Sequence, residues 1–395
     1  MRTVDDFTRP LEYISPLDGV LGPLIREWAE SEVMPFRRLY DEDWEEHRLI
    51  SPPMKTLLVD YGLQRFLFPV EQGGLDLGNS DYFWVTAFRL LEEMARADSG
   101  MCIALAVVLW PLMFITIEPH VNRRLCAEFA PLYAGDRPVF SALAMTEPQG
   151  GSDIENVELL GGSTIRTTAV RDGDEWVING HKLWATNTGG LADLLAVVCT
   201  TNPGSSDPAD IALIYVPTDR PGVTQGTPYQ KAGMASDKNS DVWFEDVRVP
   251  LWYRAHGAGD DALYFGEVIT VGNGLSTALA SGVMMNVWEK LAEFVNTRTY
   301  RGLPLKENDA VAGLLSEYAA ALEAVRVLGY QTARMCDRPG LYGNRWEPRM
   351  IAKSRAHRMF AADVCIEQVG RALNLMEAHG ADRDRDVEKQ WRDVK

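Results

Sequence analysis

The spacing of hydrophobic positions changes twice along this chain. Over residues 1–138 it is helical: Ile25, Trp28, Ala29 and Val33 share a face with charged residues between them, and Pro35 closes the segment. A second helix is predicted from Pro53 to Tyr61, stopped by Gly62. Pro69-Val70-Glu71-Gln72-Gly73-Gly74 interrupts the pattern with a proline and two glycines. Another helix is expected to start at the capping cluster Asn79-Ser80-Asp81, with Val85, Phe88, Leu91 and Met94 on its apolar face. The longest apolar stretch, Ile103–Ile117, reads as a buried helix interrupted by Pro111 and too short to span a bilayer.

From Val139 to Pro250 the runs become short and β-rich: Val139–Met145, Thr164–Val170, Glu175–Ile178, Leu194–Thr200, Ile211–Val216 and Asp241–Phe244. Asp172-Gly173-Asp174 and Asn179-Gly180 are hairpin-type turns between them. No helix-length insert separates the runs, so the sheet should be largely antiparallel. The helical period then returns, on stripes through Val283, Val287 and Leu291, through Leu315, Tyr318, Leu322 and Val325, and over residues 348–377. Long helices with short connections predict an antiparallel bundle. The chain is thus an α+β protein in three parts: an all-α domain (1–138), a middle antiparallel β domain (139–252) and a C-terminal four-helix-bundle domain (253–395).

Charge and composition narrow the partners. A net charge of −17 repels nucleic acid and anionic membrane, so neither is expected to bind, and membrane insertion is not expected. Any anionic ligand would have to be held by local donors. The five cysteines are scattered without a C-x-x-C pair, which points to a reducing compartment. The N-terminus lacks the apolar run of a signal peptide, and a cytoplasmic location is expected. The six histidines show no metal-ligand spacing, and no metal site is expected. P-loop, G-x-G-x-x-G and G-x-S-x-G signatures are absent.

Two segments carry candidate chemistry. Ala144-Met145-Thr146-Glu147-Pro148-Gln149-Gly150-Gly151-Ser152-Asp153 runs from a strand into a turn whose N–H groups and hydroxyls suit a polar cofactor edge or a phosphate. Trp176 to Asn187 forms a hairpin whose alternation puts Trp184 and Thr186 on one face, an indole beside a hydroxyl, suited to a flat heterocycle. Taken singly, the first is an ordinary surface turn and Trp184 an ordinary core aromatic.

Together they resemble the acyl-CoA dehydrogenases. The Thr-Glu-Pro-x-x-Gly-Ser-Asp turn, the Gly-x-Lys-x-Trp-x-Thr hairpin and Val242-Trp243-Phe244-Glu245-Asp246-Val247-Arg248-Val249-Pro250 are similar to that family's middle domain. Pro69-x-Glu71-x-Gly73-Gly74-Leu75 and Leu91-Glu92-Glu93-Met94-Ala95-Arg96-Ala97-Asp98 resemble its N-terminal helices. Arg298-x-x-x-Gly302 and Trp391-Arg392-Asp393-Val394-Lys395 resemble its C-terminal domain. The resemblance implies FAD as cofactor and an acyl-CoA substrate. A carboxylate removes the α-proton while hydride leaves the β-carbon, helped by hydrogen bonds to the thioester oxygen. It places Met145 and Thr146 on the flavin ring and Ser152 at the substrate side. Trp184, Ala185 and Thr186 lie on the ring's other edge, and Arg298 on the FAD pyrophosphate of a neighbouring subunit. It also implies a homo- or heterotetramer and an electron acceptor such as an electron-transfer flavoprotein.

Several positions depart from the pattern. No catalytic residue is assigned, because the family's usual base falls past Lys395 and its alternative, on the first long C-terminal helix, corresponds to Gly272-Asn273. Glu267 lies nearby and is expected to be a solvated acid at a helix start. The family's Phe-Gly becomes Arg301-Gly302, its Gln-bearing pair Asn308-Asp309, and its Gln-x-x-Gly-Gly segment Asn374-Leu375-Met376-Glu377-Ala378. A loop arginine is replaced near Ala235-Ser236-Asp237. Glu377 beside a diphosphate would repel it by ~1–4 kcal/mol unless it turns outward. Three readings stay open: a dehydrogenase whose base lies beyond Lys395; one subunit of a hetero-oligomer, including a non-catalytic partner completing a paralogue's FAD site; or a base-free relative of the desulfinase kind. Trp110-Pro111 on one side and Gly272-Asn273-Gly274 on the other predict a wide, short pocket for a branched or ring-bearing acyl group.

Overall fold

The computed structural model describes residues 4–151, 154, 165–205 and 207–395. Before the sheet come α1 (Val4–Thr8), α2 (Asp18–Trp28), α3 (Ser51–Lys55), α4 (Phe83–Ala97), α5 (Ser99–Thr116) and α6 (Arg123–Phe129). The face predicted for the first apolar stripe is buried: Ile25, Trp28, Ala29 and Val33 are at most 1% exposed.

Two expectations fail here for physical reasons. The Asn79-Ser80-Asp81 cluster does not cap α4; the helix begins at Phe83, and its first N–H groups, on Trp84 (2.9 Å) and Val85 (3.2 Å), donate to the Asp337 carboxylate. A cap from so far along the chain leaves no local signal. Pro111 does not interrupt α5, which is one helix from Ser99 to Thr116. Hydroxyls from the sheet donate to carbonyls near the proline, Ser141 to Val108 and Tyr215 to Pro111, and anchor this stretch of the helix to the sheet.

The sheet comprises β1 (Ser141–Ala144), β2 (Thr168–Asp172), β3 (Glu175–Thr186), β4 (Leu194–Thr200), β5 (Ile211–Pro217), β6 (Val223–Gln225) and β7 (Asn239–Pro250). Its order is β1-β4-β2-β3-β7-β6, with β5 also on β4. It is largely antiparallel, as the short connections required, with β1 and the start of β2 parallel to β4. β4 and most of β5 are buried, matching their unbroken apolar runs.

After it come α7 (Asp260–Thr297), a small hairpin of β8 (Thr299–Tyr300) and β9 (Leu303–Pro304), α8 (Asp309–Asp337), α9 (Pro339–Tyr342), α10 (Pro348–Met376), α11 (Ala378–Ala381) and α12 (Val387–Asp393). α7, about 57 Å long at 1.5 Å per residue, packs against α4, α5, α8 and α10 and so joins the two helical parts. Both α5 and α7 are long and apolar enough to cross a membrane, but 78% and 72% of their apolar windows are buried inside the protein.

The quoted N- and C-terminal motifs turn out to be joints. Arg326 of α8, fully buried, donates to Glu92 (2.8 Å) and to Asp5 (2.7 Å). Burial alone would raise the Glu93 carboxyl, but Arg89, Arg96 and Arg26 hold it at about 2. Asp393 binds Lys389 (2.8 Å), the Ser99 hydroxyl (2.8 Å) and the Met234 N–H (2.6 Å), docking α12 on the start of α5 and the loop before β7.

Candidate functional site

The loop leaving β1 is fixed from the sheet side. The Thr146 carbonyl accepts from the Leu183 N–H (2.8 Å), the Met145 carbonyl from the Lys182 ammonium (2.9 Å), and Glu147 and Gly150 exchange backbone bonds of 2.8 and 3.1 Å. The Thr146 N–H and hydroxyl, half-buried, take no partner among the described residues. Met145 and Thr146 are therefore tied to Lys182 and Leu183, which joins the two segments that the sequence singled out.

Below the loop, Glu147 and Lys182 form a buried ion pair at 2.8 Å. The Glu147 carboxylate also accepts the N–H groups of Arg166 (2.7 Å) and Thr167 (2.8 Å) and the Gln149 amide (2.5 Å). Burial opposes its charge, but the Lys182 ammonium and these donors outweigh it and keep the carboxyl below its usual range. Burial prevails at Lys182 and lowers its ammonium, with Glu147 opposing.

The alternation of β3 is broken just before Ala185. The β3–β7 register shifts between Lys182 and Ala185, and Trp184 lies at φ +57°. This bulge turns Trp184 outward to 51% exposure although Lys182, two residues earlier, is fully buried. Trp184 leans on Tyr229 at 4.2 Å between ring centroids. Asn239 ties both positions, donating to the Trp184 carbonyl (3.0 Å) and the Thr186 hydroxyl (3.1 Å). Thr186 also lies 3.4 Å from Asp237, whose carboxyl burial pushes up despite Lys231 at 3.1 Å. Ala185 is buried between them.

The remaining assigned residues fall elsewhere. Ser152 lies outside the described residues. Arg298 stands at the far end of α7, exposed beside the hairpin, and is not brought to the Thr146 loop. Asn308 caps α8 through the Ala310 and Val311 N–H groups (3.0 and 3.4 Å). Glu377 is exposed, with its backbone at φ 51°, ψ −128°.

Glu267 is not a solvated acid. It is 2% exposed, ion-paired with Arg345 and hydrogen-bonded to the His120 ring. Burial would raise its carboxyl, but Arg345 and then His120 outweigh this and lower it. Both partners come from segments distant in sequence, so position on the helix alone gave no sign of them.

Beside this cluster lies an apolar cavity of about 90 Å³ between α4, α5, α7 and α8, lined on its aromatic side by Phe66, Phe83, Trp84, Phe88 and Trp110. The space expected at Gly272-Asn273-Gly274 is only partly there. The Trp110 ring lies 3.5 Å from where a Gly272 Cβ would be, and Asn273 turns away to bond Ser354 (3.0 Å); Gly274 alone of the three lines the cavity.

Lys182, Glu147, Tyr229 and Asn239 had no assigned role in the sequence. Lys182 and Glu147 lie inside the two quoted motifs, so their co-occurrence was the available signal; Tyr229 and Asn239 had none.

Comparison with known proteins agrees with this arrangement. Residues 142–247 match the acyl-CoA dehydrogenase middle domain and residues 265–395 the acyl-CoA dehydrogenase C-terminal domain. The chain is 27% identical over 375 residues to a cyclohexane-1-carbonyl-CoA dehydrogenase of Syntrophus aciditrophicus, covering 94% of this chain and 89% of that one. It is 28% identical over 382 residues to a probable acyl-CoA dehydrogenase of Bacillus subtilis, covering 94% and 90%. The butyryl-CoA dehydrogenase structure from Megasphaera elsdenii superposes with a TM-score of 0.80 at 21% identity, over 96% of this chain and 93% of that one. With both domains matched in order and the same fold over nearly its whole length, the chain belongs to the acyl-CoA dehydrogenase family of oxidoreductases.

Proposed function

We propose that this chain holds FAD against the loop after β1 and dehydrogenates an acyl-CoA thioester across its α and β carbons, alone or as one subunit of a hetero-oligomer. The observation that carries the reading is the Thr146 N–H and hydroxyl, left without a partner among the described residues while the carbonyls around them are tied into the sheet. Two outward donors beside a half-exposed indole suit the polar edge and flat face of an isoalloxazine. FAD, when bound, supplies the hydride acceptor. Thr146 would orient its edge, Trp184 would cover part of the ring, and Arg298, exposed and permanently charged, would serve the pyrophosphate of a neighbouring chain. Electrons would then pass to an acceptor such as an electron-transfer flavoprotein, in the cytoplasm.

The proton acceptor is not among these residues. At the helix position that the resemblance offers, Gly272 lies under Trp110 and carries no carboxylate.

The acyl group we propose is compact and ring-bearing. The cavity is short and walled by aromatic rings, and its polar lining residues are already engaged, the Thr270 hydroxyl with the Arg345 carbonyl and the Thr332 hydroxyl with the His357 ring and the Leu328 carbonyl. A polar tail would find no free partner there. The similar Syntrophus protein is named for a cyclohexane-1-carbonyl substrate. The test is anaerobic bleaching of the flavin band of the purified protein, co-expressed with any adjacent paralogue. Cyclohexane-1-carbonyl-CoA should bleach it and palmitoyl-CoA should not. Preference for the long straight chain would overturn the substrate class, and no bleaching with any acyl-CoA would overturn the reaction.

A further inference from the structure

Outside the proposed ligand contacts, one buried pair stands where it controls them. Lys182 and Glu147 are 0% and 3% exposed. Neither side chain faces the side on which Thr146 leaves its donors open. Lys182 spends its ammonium on Met145 O (2.9 Å) and Glu147 Oε1 (2.8 Å), the residues on either side of Thr146. Glu147 in turn accepts the N–H groups of Arg166 and Thr167, where the chain enters β2.

The loop is thus tied at three successive residues. Met145 is held through its carbonyl by Lys182, Thr146 through its carbonyl by Leu183, and Glu147 through its side chain and its bonds to Gly150. Because each peptide is planar, fixing the carbonyl on one side of a peptide fixes the N–H on the other. Holding the Met145 carbonyl inward sends the Thr146 N–H outward. A buried ammonium is a costly way to fill space, since burying charge is unfavourable unless it is paired and hydrogen-bonded. An apolar side chain would fill the volume but would leave the Met145 carbonyl free to turn.

We infer that Lys182 and Glu147 are positioning residues: their ion pair sets the direction of the Met145–Thr146 peptide, and so aims the donors that receive the flavin edge. The inference rests on the flavin reading proposed above. Lys182 touches neither flavin nor acyl-CoA in this role; it acts through the Met145 carbonyl.

The test uses the full chain, with Lys182→Met and the charge-free double variant Lys182→Met/Glu147→Gln, which keeps the fold where the single variant is too unstable to purify. Two readouts are taken. Hydrogen–deuterium exchange on flavin-free protein should rise at least tenfold at the bonded amides that hold the loop, those of Glu147, Gly150 and Leu183, in both variants, with the strands β4 and β5 unchanged. FAD titration by fluorescence should show the dissociation constant raised at least tenfold in both. A fall in melting temperature with wild-type exchange at the loop and wild-type FAD affinity would overturn the inference, leaving the pair a structural contact. Failure of the wild type itself to bind FAD would overturn the flavin reading instead, and the exchange result would still decide whether the pair holds the loop.

Discussion

Replacing Glu267 by Gln removes a carboxylate that bonds two buried groups, the Arg345 guanidinium and the His120 ring. Glu267 is 2% exposed at its side chain and Arg345 7%, so solvent screens the pair little. The His120 ring packs 3.9 Å from Tyr264 and 5.2 Å from Trp346, which leaves it no room to swing to water. Arg345 would keep the Glu118 carbonyl, at 2.9 Å, and a neutral amide oxygen in place of its carboxylate. Breaking a buried pair by removing one partner costs about 3–5 kcal/mol, because the other charge stays buried. At about 2 °C per kcal/mol for a large domain, the melting temperature should fall by roughly 6–10 °C. The assay is thermal and urea unfolding of the variant beside Glu323→Gln, an exposed acid on α8 expected to shift stability by about 0.5 kcal/mol or less. The Glu267 carboxyl is lowered in the folded state, so its contribution is complete above the ordinary value of 4.5 and is lost as pH falls below it. The gap between wild type and variant should therefore close on acidification. A loss no larger than that of Glu323→Gln, at neutral pH, would refute the reasoning and return Glu267 to a solvated surface role.

Three further outcomes follow from the geometry. Glu377 holds φ 51°, ψ −128°, a region that suits glycine, so Glu377→Gly should stabilise the protein by about 1–2 kcal/mol in urea unfolding. Gly282 lies where α7 meets α4, and a Cβ there would stand 2.3 Å from the Glu92 carbonyl oxygen and 2.7 Å from the Ala95 Cβ. Gly282→Ala should cost at least about 1–3 kcal/mol, seen as a lower urea midpoint. Asp337→Ala removes the acceptor for the first N–H groups of α4 and should cost about 1 kcal/mol by the same measurement.

What the sequence made legible follows the range of the interactions involved. The period of apolar residues is local, and it located α2, β4, β5 and the long helices α7, α8 and α10 well. The joint between Met145-Thr146 and Leu183–Thr186 was legible only because two motifs occur together; the Leu183–Thr146 hydrogen bond that makes it belongs to no single segment. The bulge before Ala185 was not legible, because it adds a residue without leaving a mark as clear as a glycine or proline. Glu267 was misread because both groups that neutralise it, His120 and Arg345, lie far away in sequence. Asp337 as the cap of α4 was missed for the same reason. Of the residues assigned to the flavin, Met145 and Thr146 are tied to the strand that carries Trp184, Ala185 and Thr186, whereas Arg298 stands apart on the far end of α7.

The central claim is that the Thr146 loop and the Trp184 end of β3 form a flavin platform. The most direct measurement is an equilibrium titration of the flavin-stripped full chain with FAD, followed by flavin fluorescence and by the absorbance band of the bound ring, in wild type and in Trp184→Ala. Saturable binding at one FAD per chain, with a shifted band and at least tenfold weaker binding in Trp184→Ala, is the predicted result. Absence of saturable binding, or binding that Trp184→Ala leaves unchanged, would contradict it.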